Sequence, residues 1–362
     1  MAKIIKENVP FDGCDVAVLL EGKKEIKMLQ LTDMQVIDGS QRRTPDRIRI
    51  DEINAWTDKN FDVQLGNHIR SVVTQTNPDI IFITGDMVYG SFDDSGRAFK
   101  WFVSLMDSFG IPWAPVFGNH DNESEMGVKW QCDLLESTEN CLFKRGNVSG
   151  NGNYTVGVAI DGVLKRVMYM TDSNGCADCS NPEVIKNQGI YPDQLERIRV
   201  SSAAIRLQNG EGVRGMMAFH IPTKEFALAS KEKGYEDNAP KYTLGVTVAQ
   251  KDGDFGSKYE TEHSIDCGDM VAFFKETGID SVFAGHYHTN NTRILHNGIL
   301  YVYGLKTGQY DYHTPGSIGG TLITFGDGAT DVHHVPSLIP LAPYPGGARM
   351  FKGFFAEDKV IL

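Results

Sequence analysis

Five segments with the pattern of β-strands are each followed at once by side chains that can bind a metal ion. These side chains are Asp33, Asp86, Asn119 with His120, His220, and His286 with His288. In sheets with crossover helices, ligands gather at the carboxyl ends of the strands, so we expect the five ends to meet at one edge. Each signal alone is more often a turn or a hydrogen-bonded histidine. The ordered set predicts a metal site.

The types of side chain narrow the choice of metal. Apart from His120, the set offers three imidazoles, two carboxylates and one amide. Such a mixture suits iron, zinc or manganese, in the divalent or trivalent state. It contains too many nitrogen ligands for calcium, which takes oxygen ligands.

The hydrophobic pattern predicts strands and helices that alternate in the first part of the chain. The predicted strands are Lys24–Leu31, Asp79–Thr84, Trp113–Phe117, Gly215–Phe219 and Ser281–Ala284. The predicted helices are Asn67–Gln75, Gly96–Phe109, Asp193–Leu207 and Asp269–Thr277. This order is typical of α/β layered folds.

The C-terminal part follows another pattern, with three segments that read as antiparallel strands around turns. They are Ile299–Tyr303, Gly320–Phe325 and Thr330–Val335. Both parts fit an α/β (α+β layered) fold, a four-layer sandwich of two mixed β-sheets flanked by helices. We expect one catalytic domain over residues 1–362, with an antiparallel strand region from about residue 299.

Composition limits the possible partners. Of 362 residues 41% are hydrophobic, enough for a full core, and the formal net charge is 35 − 47 = −12. An acidic protein is not expected to bind nucleic acid or membranes non-specifically. No run of about 18 apolar residues predicts a membrane span. The first six residues lack the apolar stretch of a signal peptide, which favours a cytoplasmic protein, although a trimmed secreted chain would begin in the same way.

The sequence does not decide the role of two further features. Cys176 and Cys179 form a C-x-x-C motif with no second pair at zinc spacing, so they are either free thiols on a loop or a local disulfide or redox pair. The stretch Tyr235–His263 is polar and poorly periodic, and we interpret it as a surface excursion that could cover the site.

The motifs carry a resemblance to a known family. The ordered set Asp33, Gly85-Asp86, Gly118-Asn119-His120-Asp121, His220 and Gly285-His286-Tyr287-His288 resembles the calcineurin-like metallophosphoesterase superfamily. The segment that begins His220-Ile221-Pro222 is similar to the purple acid phosphatase-like branch, which includes plant single-domain and yeast Dcr-type phosphatases. The resemblance implies the metallophosphoesterase fold and a small phosphorylated substrate.

One motif departs from the family pattern. The first motif is usually Asp-x-His with the histidine as a ligand, but this chain has Asp33-Met34-Gln35. Purple acid phosphatases also lack that histidine and instead bind ferric iron through the tyrosine of Gly-Asp-x-x-Tyr, which corresponds to Tyr89 here. Tyr89 is therefore either a ligand or an aromatic ring packed under the site. As a ligand, its phenolate would favour a trivalent metal.

The resemblance implies two metal ions with Asp86 as the bridge. The first would be held by Asp33, Asp86, His288 and Tyr89, and the second by Asp86, Asn119, His220 and His286. The expected pair is Fe(III) with a divalent ion, which is iron, zinc or manganese.

The activity implied is hydrolysis of phosphate monoesters by a hydroxide that bridges the metals. A phosphodiesterase for cyclic nucleotides or other diesters would use the same metal core. A non-catalytic metal-binding protein is a further alternative, supported only by the missing first-motif histidine.

The remaining site residues are predicted from their places beside the motifs. His120 is expected to act as general acid or to stabilise the leaving group, with Asp121 orienting its other nitrogen. Candidate substrate contacts are Gln35, Arg42 and Tyr310. Arg42 could instead belong to a solvated basic turn, and Tyr310 could equally belong to the exposed surface.

Overall fold

A computed structural model describes residues 2–41, 61–175, 188–232, 265–288, 290–311, 313, 318–326 and 330–340. Arg42, the C-x-x-C motif and the stretch Tyr235–His263 lie outside the described residues. No described helix is long and apolar enough to cross a membrane.

The smaller of two mixed sheets carries the first three strand ends. Its order is β13-β12-β3-β4-β5, formed by Thr330–Pro336, Gly319–Phe325, Ile26–Leu31, Ile80–Thr84 and Trp113–Val116. Strands β3, β4 and β5 are parallel, whereas β12 runs antiparallel to both β3 and β13. All five residues of β4 are buried and apolar or β-branched, as is usual for a parallel strand covered on both faces.

The larger sheet has eight strands in the order β1-β2-β6-β7-β8-β9-β11-β10. Its strands are Lys3–Ile5, Val16–Leu20, Tyr154–Ile160, Val163–Met170, Arg214–Ala218, Ile279–Ala284, Ile299–Tyr303 and Arg293–His296. Strands β7, β8, β9 and β11 are parallel. The carboxyl ends of β8 and β9 therefore point to the same edge of the sheet.

Six helices are described around the two sheets. They are α1 (Phe61–Thr76), α2 (Arg97–Asp107), α3 (Val128–Ser137), α4 (Pro192–Asn209), α5 (Lys224–Glu232) and α6 (Met270–Thr277). Asp269 caps α6 by accepting a hydrogen bond from the backbone N–H of Ala272 at 3.0 Å, and Gly278 ends it in the left-handed conformation.

Side chains of the large sheet point alternately to its two faces, and each face packs against a different layer. Val156 and Met216 point into a core shared with the small sheet and with α1, whereas Val167 and Met217 point into a second core shared with α4, α5 and α6. Successive residues of a strand face opposite sides, so one strand can serve both cores. The predicted sandwich of two mixed sheets flanked by helices is confirmed.

Two expectations about the elements need correction. The segment Ile299–Tyr303 does not join the other C-terminal strands, because it lies in the large sheet, parallel to β9 and antiparallel to β10. Helix α1 begins at Phe61, six residues before the predicted Asn67. Gly66 interrupts the apolar pattern there, while Leu65 is already buried in the core.

Candidate metal centre

A histidine from the large sheet connects the ends of both sheets. Nδ1 of His220, which follows β8, lies 2.7 Å from the carbonyl oxygen of Thr84 at the end of β4. A carbonyl oxygen can only accept, so Nδ1 carries a proton whether or not the ring is charged. Burial alone would lower the pKa of His220, but Asp86 raises it to about 9, so a metal bound at Nε2 would displace a proton from that atom. The tautomer is thus fixed by a backbone contact, as is common for histidines that bind metals.

Three other electron-pair donors surround Nε2 of His220. Oδ1 of Asn119 lies at 3.0 Å, Oδ2 of Asp86 at 3.3 Å and Nδ1 of His286 at 3.3 Å from this atom. These are the four residues expected to hold the second metal. The structure brings all of them together.

A second group of donors lies beside the first. Oδ1 of Asp33 is 3.3 Å from Nε2 of His288, and ligand atoms of Asp33, Asp86 and His220 all lie within 4.8 Å of one another. Asp86 touches both groups, which is the position required of a bridging carboxylate. The backbone N–H of His286 also donates to Oδ2 of Asp33 at 3.1 Å.

The donors fit a bound cation. Oδ1 of Asp33 and Oδ2 of Asp86 are buried, and no described donor meets either atom with hydrogen-bond geometry. A buried carboxylate oxygen without a partner carries a large desolvation cost, which a bound cation would remove. Two carboxylates, three imidazoles and one amide oxygen suit iron, zinc or manganese.

The pKa values of the clustered side chains are shifted by burial and by their neighbours. Burial alone would raise the pKa of Asp33, but His288 and His220 outweigh it and lower that pKa to about 2. Burial and the charge of His220 lower the pKa of His286 to about 3. The carboxylates are therefore ionised and His286 is neutral near pH 7, as metal binding requires.

The backbone is strained where the ligands enter. Asp33, Asp86 and His286 have φ values of 52°, 51° and 74°, a region that non-glycine residues rarely adopt. Only a residue without a side chain fits at position 118, because a Cβ at Gly118 would lie 2.1 Å from Oδ1 of Asp86. The glycine of the Gly-Asn-His-Asp motif thus makes room for the ligand on the neighbouring strand.

The two tyrosines predicted near the site lie in one buried aromatic group. The ring of Tyr89 stacks on His120 with centroids 4.3 Å apart, and Tyr310 meets Tyr89 edge-on at 5.5 Å. Tyr89 is beside the metal cluster, and its role as a ligand stays a prediction. Tyr310 is fully buried and packs against Tyr89 and Phe92, so it is not at an exposed pocket mouth.

His120 is oriented by a different carboxylate from the one expected. Nδ1 of His120 lies 2.8 Å from Oε2 of Glu123. Asp121 instead accepts hydrogen bonds from the backbone N–H groups of Gly118 at 2.7 Å and Val88 at 3.0 Å. The prediction that Asp121 orients His120 is wrong, because its carboxylate turns back to hold the loop after β5.

The charge on His120 follows from this arrangement. Burial alone would lower its pKa, but Glu123 and Asp86 together raise that pKa to about 10. The imidazole is therefore protonated at neutral pH, as a proton donor must be. The signal in the sequence was the helical turn Asp121–Glu123, which places Glu123 three residues after His120.

The sequence also gave no indication of a buried lysine at the site. Nζ of Lys306 donates to the carbonyl oxygen of Asp33 at 2.9 Å and to Oε1 of Gln35 at 2.7 Å. Lys306 follows β11 without any motif around it, so only the fold brings it to the first-motif segment. Gln35 is fully buried and is held by this lysine, rather than turned toward solvent.

Comparison with known proteins agrees with this geometry. The calcineurin-like phosphoesterase family model matches residues 26–198. An uncharacterized protein of Schizosaccharomyces pombe is 28% identical over 57% of this chain and 38% of its own length. Probable inactive purple acid phosphatase 29 of Arabidopsis thaliana is 25% identical over 82% of this chain and 74% of its own length.

A further relative is phosphatase DCR2 of Saccharomyces cerevisiae, 26% identical over 75% of this chain. The chain spans 45% of the length of that phosphatase and 38% of the fission yeast protein. The predicted resemblance to calcineurin-like and purple acid phosphatase-like proteins is confirmed. The relatives include proteins named as phosphatases and proteins named as inactive.

Proposed function

We propose that this chain, whose residues 26–198 belong to the calcineurin-like phosphoesterase family, is a hydrolase that cleaves phosphate monoesters with two bound metal ions. One observation carries the proposal. Three donors, Asp86, Asn119 and His286, lie within 3.3 Å of Nε2 of His220, and Asp33 lies on the other side of Asp86.

The metals and the protein would divide the chemistry. When bound, the two cations supply Lewis-acid chemistry, which lowers the pKa of water and neutralises the charge of a phosphate group. Asp33 and His288 would hold the first ion, with Asp86 shared between both. The preferred pair is Fe(III) with a divalent iron, zinc or manganese ion, and Tyr89 would be the ligand that selects the trivalent ion.

His120 is the group of this chain proposed to move a proton. It is 8% exposed, sits next to the ligand Asn119 and carries a proton at neutral pH. Its Nδ1 is occupied by Glu123, which leaves Nε2 to donate to the leaving oxygen of the ester. Hydrolysis then releases an alcohol and inorganic phosphate.

Two alternatives use the same cluster. A phosphodiesterase would need the same ligands and the same acid. A non-catalytic metal-binding protein is favoured by Gln35 at the first motif and by the name of the Arabidopsis relative. Metal content and turnover together separate these possibilities.

The experiment measures metal content, visible absorption and hydrolysis on one preparation, supplied with iron, zinc or manganese. We expect two metals per chain and faster release from p-nitrophenyl phosphate than from bis-p-nitrophenyl phosphate. Asn119→Ala should lose metal and rate together, whereas Asn209→Ala at the end of α4 should lose neither. The reverse preference would support the diesterase, and one metal without turnover would support the non-catalytic protein.

A tyrosinate–ferric absorption band that disappears in Tyr89→Phe would support Tyr89 as a ligand. A colourless protein loaded with iron(III) would refute that assignment.

A further inference from the structure

A large cleft lies at the end of the sandwich opposite to the metal centre. Its volume is about 900 Å³, and residues at the amino-terminal ends of β3, β8 and β9 line it, together with the turn between β6 and β7. The ligands Asp33, His220 and His286 follow the other ends of these strands. With six residues in β3, the two sites are roughly 20 Å apart.

The lining of the cleft is basic although the protein is acidic. Five cations contribute to it, namely Lys23, Lys24, Lys165, Arg166 and Arg214, against the two carboxylates Asp161 and Asp280. The formal net charge of the whole chain is −12. A local excess of positive charge in an acidic protein concentrates field lines that attract anions.

Some of these charges are already paired. Lys23 forms an ion pair with Asp79 at 2.7 Å. Arg166 forms a two-point ion pair with Asp280, and its guanidinium lies 4.0 Å from the ring centroid of Phe325. The pair Arg166–Asp280 closes the floor of the cleft, where Arg166 is 5% exposed. Its Nε has no hydrogen-bond partner among the described residues.

Three cations remain without carboxylate partners. Lys24, Lys165 and Arg214 are exposed, and each of them lies at the start of a strand of one of the two sheets or just before it. No ion pair or hydrogen bond engages their side chains within the described ranges. Uncompensated charges that share one concave surface repel one another, and an anion between them would remove that repulsion.

We propose that this cleft binds a small molecule with two or more phosphate groups, held by Lys24, Lys165 and Arg214. The volume lies in the range of small-molecule sites. A single phosphate group carries at most about −2 near pH 7, which is less than the formal charge of the three cations together. The inference does not depend on hydrolysis at the metal centre, because no metal ligand lines the cleft.

The test is a calorimetric titration of the metal-loaded protein with methylenediphosphonate, whose P–C–P bridge resists hydrolysis. The wild-type protein should bind it at the cleft in addition to any binding at the metals. The triple variant Lys24→Ala/Lys165→Ala/Arg214→Ala should lose the cleft site, with affinity at least about tenfold weaker there. Inhibition of p-nitrophenyl phosphate hydrolysis by the same compound should be unchanged.

Two controls make the result specific. The double variant Lys129→Ala/Lys275→Ala removes exposed cations of α3 and α6 that do not line the cleft, and it should bind like the wild type. Metal content after the titration shows whether the probe removed metal. Equal stoichiometry and affinity in the wild type and the triple variant would overturn the proposal.

Discussion

Nζ of Lys306 lies 2.7 Å from Oε1 of Gln35, and both side chains are buried at the edge of the metal centre. The glutamine stands where the family usually has a histidine ligand. Burial lowers the pKa of Lys306 to about 8, although Asp33, Asp311 and Asp86 oppose the shift. The first-motif segment is therefore held by a buried cation from the other sheet.

Replacement of this lysine should destabilise the fold. Lys306→Met keeps an apolar stem but leaves Oε1 of Gln35 without its donor, whereas the carbonyl oxygen of Asp33 keeps the backbone N–H of Gly308 at 3.3 Å. A buried acceptor without a partner costs roughly 1–3 kcal/mol, and urea unfolding would measure the loss. Lys275→Met, at an exposed position of α6, is the control. Equal unfolding midpoints for the two variants would contradict the structural role.

Removal of the proposed acid should separate rate from metal binding. His120→Ala is expected to retain the metal content of the wild type, because His120 is not a ligand. Its rate should fall by roughly 10²–10⁴-fold on alkyl phosphates, whose leaving groups need a proton. The loss should be much smaller on p-nitrophenyl phosphate. Metal content that falls in parallel with rate would rule out the role as acid.

Glu123 should act only through His120. Glu123→Gln keeps the shape of the side chain but removes the charge that raises the pKa of His120. We expect the rate on alkyl phosphates to fall about tenfold. In a His120→Ala background the same change should cost nothing further, since the two residues act as a unit. Additive losses in this double-mutant cycle would show that Glu123 has a separate role.

Space at Gly118 should be essential for the metal centre. In Gly118→Ala the new methyl group would lie 2.1 Å from Oδ1 of Asp86, so the bridging carboxylate must move. We expect loss of bound metal and of hydrolysis, measured by elemental analysis and turnover. Gly212→Ala is the matched control, because nothing lies within 4 Å of its added methyl group. Full metal content in Gly118→Ala would argue against Asp86 as the bridge.

A buried histidine outside the candidate ligand set should make stability depend on pH. Burial lowers the pKa of His334 from 6.5 to about 4, although the carbonyl of Asn291 opposes the shift. Between these values the unfolded chain binds more protons than the folded one, so stability falls as pH decreases. The contribution of neutral His334 to the free energy of unfolding is complete above pH 6.5, where it reaches ~3 kcal/mol.

The variant His334→Gln can keep the contacts to Thr321 and Asn291 but cannot titrate. Between pH 4 and 6.5 its unfolding free energy should depend less on pH than that of the wild type. The difference in slope should correspond to about one proton fewer taken up on unfolding. Identical pH slopes for both proteins would contradict the assignment.

The amino-acid sequence was sufficient to single out the candidate metal ligands. Strands such as Ile80–Thr84 are continuous apolar runs, and the polar residues directly after them stand out from that background. Because the parallel strands β3, β4 and β5 end at a common edge, their order along the chain was enough to predict that Asp33, Asp86 and Asn119 would meet. The expectation of one edge for all five strand ends is wrong, because His220 and His286 follow strands of the other sheet and reach the site only through the packing of the two sheets. Local sequence signals of helix ends likewise predicted Asp269 at the start of α6 and Gly278 after its last residue.

The partners of these residues were decided only by the tertiary structure. Glu123 rather than Asp121 reaches His120 because the turn after β5 directs the carboxylate of Asp121 back to the N–H of Gly118. Lys306 reaches Gln35 across 271 positions because β11 lies beside β9, a pairing that no local pattern encodes. Apolar periodicity is a property of neighbouring residues, whereas a contact between two sheets depends on how the whole chain packs.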